Sequence, residues 1–223
     1  KRKNRDKEGL FLLEGLRPME EAIKAGIKPE GVFFSEDIAE EEKEKLFNLA
    51  GDVKLYEISL KMIKELTCTE NPQGIVFLGR IEKKDIGSIG TKDTVLILDR
   101  IQDPGNLGTI LRTAGAAGIR DIILTKGSVD FYSPKVLRSS MGGIFHLSIY
   151  YAEDEGELIA LIKDKGYLLV CADAKADKEY YKENFQGKVA LVIGNENQGP
   201  NEKFLAEADS HISIPMPGGI ESL

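Results

Sequence analysis

Three short stretches gather glycines and polar groups directly behind apolar runs: 96–119 (LILDRIQDPGNLGTILRTAGAAGI), 191–200 (LVIGNENQGP) and 212–223 (ISIPMPGGIESL). Arg112 is the only charged residue between Asn106 and Ala117. On a helical wheel begun at Asn106, residues Leu107, Ile110, Leu111, Ala114 and Ala117 share an arc of about 120°, the expected core stripe. Arg112 falls roughly opposite, flanked by Gly108, Thr109, Gly115 and Ala116. Such small neighbours leave room for something bulky to approach the guanidinium, although an exposed salt-bridging arginine has the same pattern. Asn106 stands at the expected N-cap, where its side chain either satisfies a helix amide or points outward. Glu196, in Gly194-Asn195-Glu196-Asn197-Gln198-Gly199-Pro200, can accept hydrogen bonds from a substrate or order its own loop. Pro215-Met216-Pro217-Gly218-Gly219 is too rigid and apolar for hydrolytic chemistry and suits the wall of a pocket for a flat ligand such as an adenine ring.

Other chemistries find less support. No GxGxxG or GxxxxGK[ST] phosphate loop is present, which argues against nicotinamide and nucleotide-hydrolase sites. His146 and His211 open or precede apolar runs and suit packing or surface roles. No Ser-His-Asp order or HxxxH spacing stands out. Ser133-Pro134 predicts a capped helix start, followed by Arg138, Ser139 and Ser140, which suit either phosphate contacts or a solvated face. Cys68 and Cys171 are too few for zinc or a disulfide framework and read as reduced thiols.

These side chains need a scaffold that brings strand ends together. Near-continuous apolar runs at 95–98, 122–125, 146–151, 167–172, 189–193 and 212–214 alternate with helical stretches near 106–117, 133–142, 154–165 and 201–207. That alternation predicts a parallel sheet covered on both faces, with ligands at its carboxyl ends. Ahead of it, strands at 10–13, 32–34, 53–58 and 75–78 and helices at 18–25, 38–50 and 59–66 predict a small α/β sandwich over 1–80. Residues 81–91 form a polar, glycine-bearing linker, and 92–223 form the second domain. The 223 residues carry net charge −7. The charge is uneven, with +4 over residues 1–7 and +3 over 100–146, so basic patches for RNA remain on an acidic chain. No apolar run is long enough for a bilayer, and KRKNRDKEG has no signal-type apolar core, so a cytoplasmic protein is expected.

The three stretches together resemble the SpoU/TrmH group of RNA ribose 2′-O-methyltransferases of the SPOUT superfamily. Asp103-Pro104-Gly105-Asn106-Leu107-Gly108-Thr109-Ile110-Leu111-Arg112-Thr113-Ala114 is similar to its first motif. Leu191-Val192-Ile193-Gly194-Asn195-Glu196 with Gly199 is similar to its second. Ile214-Pro215-Met216, Gly218 and Ser222-Leu223 are similar to its third. Phe11–Ala25 and Asn71-Pro72-Gln73-Gly74 resemble the small RNA-binding domain of the ribosomal-RNA branch. The resemblance implies a C-terminal parallel-sheet α/β trefoil-knot domain behind a small α/β RNA-binding domain. It implies S-adenosylmethionine as cofactor and a homodimer through the knot domain. Ribosomal RNA is the expected substrate, with no metal and no membrane; the alternatives are a transfer-RNA 2′-O-methyltransferase and a non-catalytic RNA-binding protein of the same fold. Arg112, Asn106 and Glu196 would be catalytic, and Thr125, Gly194, Ile214, Met216 and Leu223 would hold the cofactor. The family's third motif continues into Asn-Val-Ser and a final helix, expected to follow Leu223.

Overall fold

The computed structural model describes residue 5 and residues 7–67, 69–90 and 93–218. The chain divides into two compact units, one of residues 1–82, 108–112 and 130–146, the other of 83–107, 113–129 and 147–223.

The first unit is built on β1 (Leu10–Glu14), α1 (Leu16–Lys24), β2 (Pro29–Ser35), α2 (Glu40–Ala50), β3 (Leu55–Ile58), α3 (Leu60–Thr67) and β4 (Ile75–Arg80). Its sheet runs β1-β4-β2-β3, with β2 and β3 parallel and the other pairs antiparallel. The period of two along β1 turns Phe11 and Leu13 inward. In α1, Met19 and Ala22 are three residues apart and share the buried face. Residues 130–146 complete this core, with Tyr132 stacked on Phe11 at 4.8 Å between ring centroids.

The second unit carries β5 (Thr94–Leu98), α4 (Pro104–Ala116), β6 (Asp121–Thr125), α5 (Pro134–Ser139), β7 (Ser148–Ala152), α6 (Glu155–Asp164), β8 (Leu168–Ala172), β9 (Val189–Ile193), α7 (Glu202–Glu207) and β10 (Ser210–Ile212), of which α5 and part of α4 are grouped with the first unit. Its sheet order is β10-β8-β9-β5-β6-β7, and every pair is parallel. Val95, Ile97, Ile123, Leu169 and Val192 are fully buried on one side, with Leu158, Ile162 and Phe204 from the covering helices. This is the doubly covered sheet that the apolar runs predict.

Several boundaries differ from expectation. The α4 N-cap is Asp103, whose carboxylate accepts from the Asn106 amide at 2.8 Å, with Pro104 in the first turn. Asp-Pro is therefore the helix start, and Asn106 lies inside the first turn. Helix α5 stops at Ser139 because Met141 (φ 50) and Gly142 (φ 85) enter the left-handed region, which a right-handed helix cannot continue. His146 closes a 3-10 turn, Gly143–His146, and β7 begins only at Ser148. β10 ends at Ile212, so Ile214 lies beyond the strand.

From β5 the chain proceeds outward through β6 to β7, then crosses to the other side of the sheet and returns with β9 against β5. The strand order therefore reverses between β5 and β9, the place where an open parallel sheet leaves a crevice at its carboxyl edge. The corner after β10 lies on the same edge, three strand spacings from β5, or about 14 Å.

Candidate functional site

The corner after β5 begins at Asp99, whose side chain is fully buried. Three donors satisfy it. Thr125 Oγ1 donates to Oδ1 at 2.8 Å, while the Asn201 amide (2.8 Å) and Arg100 Nε (3.2 Å) donate to Oδ2. The Thr125 hydroxyl also accepts from the Arg100 amide at 3.1 Å. Thr125, expected to hold a cofactor, thus has its hydroxyl committed to fixing the ends of β5 and β6.

The corner after β9 is a closed loop. Asn195 and Gly199 exchange backbone hydrogen bonds of 3.1 and 2.9 Å, and Asn195 Oδ1 accepts from the amides of Asn197 and Gln198. Gly194 is required by this loop. A Cβ there would lie 2.0 Å from the Pro200 nitrogen and 2.1 Å from the Gly199 carbonyl carbon. The Asn195 Nδ2 donates to the Arg100 carbonyl at 3.0 Å, joining the two corners.

Asn106 and Glu196, singled out from sequence, are brought together. Glu196 Oε1 accepts from Asn106 Nδ2 at 3.2 Å and from the Asp103 amide at 3.4 Å. Burial pushes the Glu196 carboxyl up, but its own amide, the Asn106 side chain and the amides of Asp103 and Gln102 together hold it below the ordinary range. It is a carboxylate at neutral pH, aimed at the first turn of α4, and it supplies one fixed negative charge at the strand-order reversal.

Arg112 follows Asn106 by six residues on α4, in the portion of that helix grouped with the first unit. Its side chain is exposed, and Nη1 donates to Met141 Sδ at 3.0 Å. A thioether is a weak acceptor, so this contact orients the guanidinium without neutralising it. Gly108 does not leave open space beside it: the position is buried, and a Cβ there would lie 1.8 Å from Ser139 Oγ. Ser139 and Ser140 hydrogen-bond back into their own helix, which removes both as free phosphate donors. Arg138 stays half-exposed, 3.8 Å from Glu14.

Ile214 is exposed and Met216 half-buried on the segment after β10. Ser213 anchors that segment by pairing with residues 178–180. Leu223, Ser222 and Cys68 lie outside the described residues, as does most of the basic run 1–7. Arg5 of that run pairs with Asp130 at 2.5 Å. Among the described residues, no cluster of histidine, cysteine and carboxylate side chains is arranged for a metal, and no helix is long and apolar enough to cross a membrane.

The sequence reading missed Asp99 and Arg100, the hub of both corners, and Met141, the partner of Arg112. The available signal was a carboxylate placed directly behind the apolar run Val95–Leu98, where an unpaired charge is costly and a network is therefore required.

Comparison with known proteins identifies the family. Residues 93–223 match the profile of the SpoU rRNA Methylase family, and residues 1–76 match that of the MRM3-like substrate binding domain. The 23S rRNA (guanosine(2553)-2'-O)-methyltransferase RlmP of Bacillus subtilis is 32% identical over 224 residues, covering 100% of this chain and 86% of its own. The mouse mitochondrial rRNA methyltransferase 3 is 42% identical over 153 residues, 65% of this chain but 36% of that longer protein. The crystal structure of an AdoMet-bound rRNA methyltransferase from Sinorhizobium meliloti superposes with a TM-score of 0.87 at 30% identity, over 100% of this chain and 85% of that one. The motif residues, the parallel sheet with its order reversal and these matches together place the chain in the SpoU rRNA methylase family.

Proposed function

We propose that this protein is an S-adenosylmethionine-dependent ribose 2′-O-methyltransferase acting on ribosomal RNA. The observation that carries the reading is the Asn106–Glu196 hydrogen bond, which joins the first two motifs at the order reversal, with Arg112 farther along the same helix. The matched profile of a SpoU rRNA methylase and the relatives' names support the reaction and the RNA class.

The residues fit the cofactor. A sulfonium cation suits the ionised Glu196, and the exposed apolar Ile214 suits an adenine ring. Gly194, Ile214, Met216 and Leu223 would hold it, with Thr125 acting through the strand-end network. Bound there, S-adenosylmethionine supplies an activated methyl group. A ribose hydroxyl is a weak nucleophile and must be placed and helped to lose its proton. Arg112 is permanently charged, so it does not serve as the base. It binds the neighbouring phosphate and polarises the 2′-hydroxyl, with a phosphate oxygen or the altered local field assisting loss of the proton. Asn106 and Glu196 hold the start of α4 in register for this contact.

Residues 1–80 capture RNA, 81–91 connect, and 92–223 carry out transfer, in a cytoplasmic homodimer joined through a trefoil-knotted domain. The test is incubation with labelled S-adenosylmethionine and ribosomal or transfer RNA, followed by mapping of 2′-O-methyl marks. Ribosomal marks that vanish with Arg112→Ala support the proposal. An Arg112→Ala protein that folds normally and keeps full rate overturns the role of the arginine, marks only on transfer RNA overturn the substrate, and no transfer to any RNA overturns the activity.

A further inference from the structure

Arg100 is outside the three residues assigned to chemistry, yet each of its polar groups is engaged. Its amide donates to Thr125 Oγ1 at the end of β6 (3.1 Å), and its carbonyl accepts from Asn195 Nδ2 (3.0 Å). The guanidinium divides among three acceptors: Asp99 Oδ2 (3.2 Å), Gln198 Oε1 (3.1 Å) and the Gly199 carbonyl (3.2 Å). Its aliphatic stem lies against Gly127, where an added Cβ would be 3.4 Å from Arg100 Cγ. The residue does this at φ 55, a backbone conformation that side-chain-bearing residues rarely adopt. A surface arginine serving only solubility has no reason to occupy a position that suits glycine.

The loop that Arg100 clamps is the one that presents Glu196. Asn195 Nδ2, which donates to the Arg100 carbonyl, also lies 3.5 Å from Glu196 Oε2. The chain of contacts runs from buried Asp99 through Arg100 and Asn195 to the carboxylate that meets Asn106. Resting on the functional reading above, we propose that Arg100 is a positioning residue: its fork locks the Gly194–Gly199 loop onto the end of β5 and thereby sets Glu196 for cofactor binding. Arginine is suited to this because its fixed fork serves several acceptors at once, whereas a lysine ammonium is a compact point charge on a long stem.

The experiment uses the full chain with Arg100→Gly, which removes the fork while keeping a residue at ease with φ 55, and with Arg100→Lys. The first readout is the carboxyl titration of Glu196 by carbon-13 NMR, which needs no cofactor. Wild type titrates below the ordinary range, and Arg100→Gly moves the midpoint upward because the displaced carboxylate no longer meets the Asn106 side chain and the amides of Asp103 and Gln102. The second is calorimetric titration with S-adenosylmethionine alone, expected to weaken about tenfold in both variants through misplacement of the loop. Unchanged Glu196 titration and unchanged affinity in a folded Arg100→Gly overturn the proposal. If Arg100→Gly does not fold, Gln198→Ala removes one arm from the exposed side: weaker binding of a few-fold supports the clamp and wild-type binding overturns it. A wild-type protein that binds no S-adenosylmethionine overturns the functional reading, while the Glu196 titration still decides whether Arg100 sets that carboxylate.

Discussion

The Asn106 side-chain amide donates to Glu196 Oε1 at 3.2 Å, across two corners that are ninety residues apart in sequence. The pair is exposed, so its value lies in geometry more than in stability. Glu196→Ala should lower single-turnover methyl transfer about 100-fold and Asn106→Ala about tenfold, within the span usual for a positioned polar group. The double variant should be no slower than Glu196→Ala. Additive losses would show that the two side chains act separately.

The depressed Glu196 carboxyl fixes a sign for pH dependence. A group held lower in the folded than in the unfolded chain stabilises the fold above its ordinary 4.5 and loses that contribution as pH falls through the folded value. The difference in unfolding free energy between wild type and Glu196→Gln should therefore be constant from pH 7 to about 5. It should shrink on further acidification. Urea titrations across that range are the check, and a difference that grows toward acid would contradict the assignment.

Asp99 is the costlier carboxylate to alter. Its oxygens face three donors, and Asp99→Asn turns one of those contacts into donor against donor inside a buried site. Loss of about 3 kcal/mol in chemical unfolding is expected, the scale of an unpaired buried polar network. Thr125→Val should cost about 2 kcal/mol, since it keeps the volume but takes the hydroxyl away from the buried Asp99 carboxylate and the Arg100 amide. Equal stability for Asp99→Asn and wild type would mean that the network carries no weight.

Gly194→Ala places a methyl 2.0 Å from the Pro200 nitrogen, and main chain cannot step aside as a side-chain tip can. The expected cost is about 2 kcal/mol with displacement of the Glu196 loop. Gly118→Ala is the control: it meets nothing within 4 Å and pays only for φ 80, about 1 kcal/mol. Thermal melts that rank the two in the opposite order would refute the packing argument.

Cys171 is fully buried in β8, and burial, with Asp173 and Asp99 adding to it, pushes its thiol up to about 12. Only the thiolate is nucleophilic. Peptide-level mass spectrometry should find Cys171 unmodified by iodoacetamide at pH 8 in native buffer and fully alkylated in denaturant. Native labelling would mean that this strand opens readily.

The parallel sheet was legible because Val95–Leu98, Ile122–Thr125 and Val189–Ile193 are apolar on both faces, and only a doubly covered sheet buries such runs. Asn106 and Glu196, which the fold brings into hydrogen-bond contact, were legible as polar groups just behind them. What stayed hidden depended on partners distant in sequence. Asn106 was placed at the N-cap because Pro104-Gly105 has the composition of a turn, whereas the Asp103 carboxylate makes it the first turn of α4. Gly108 had the look of a gap for a ligand, and only the packing of Ser139 shows that the space is filled. The bonds of the Thr125 hydroxyl to Asp99 and Arg100 were equally invisible, because both partners sit on the neighbouring strand end. Periodicity reports which face a residue takes, not which neighbour occupies it.

The central position of β9 has a consequence for biosynthesis. Thr94–Leu98 pairs with Val189–Ile193, so β5, β6 and β7 leave the ribosome with one long flank of unsatisfied amides and carbonyls that nothing local can close. The nascent chain must hold that raw edge until the late strand emerges and slots between β8 and β5. Closure of the sheet is therefore a late step between distant segments, the class of pairing that forms slowly.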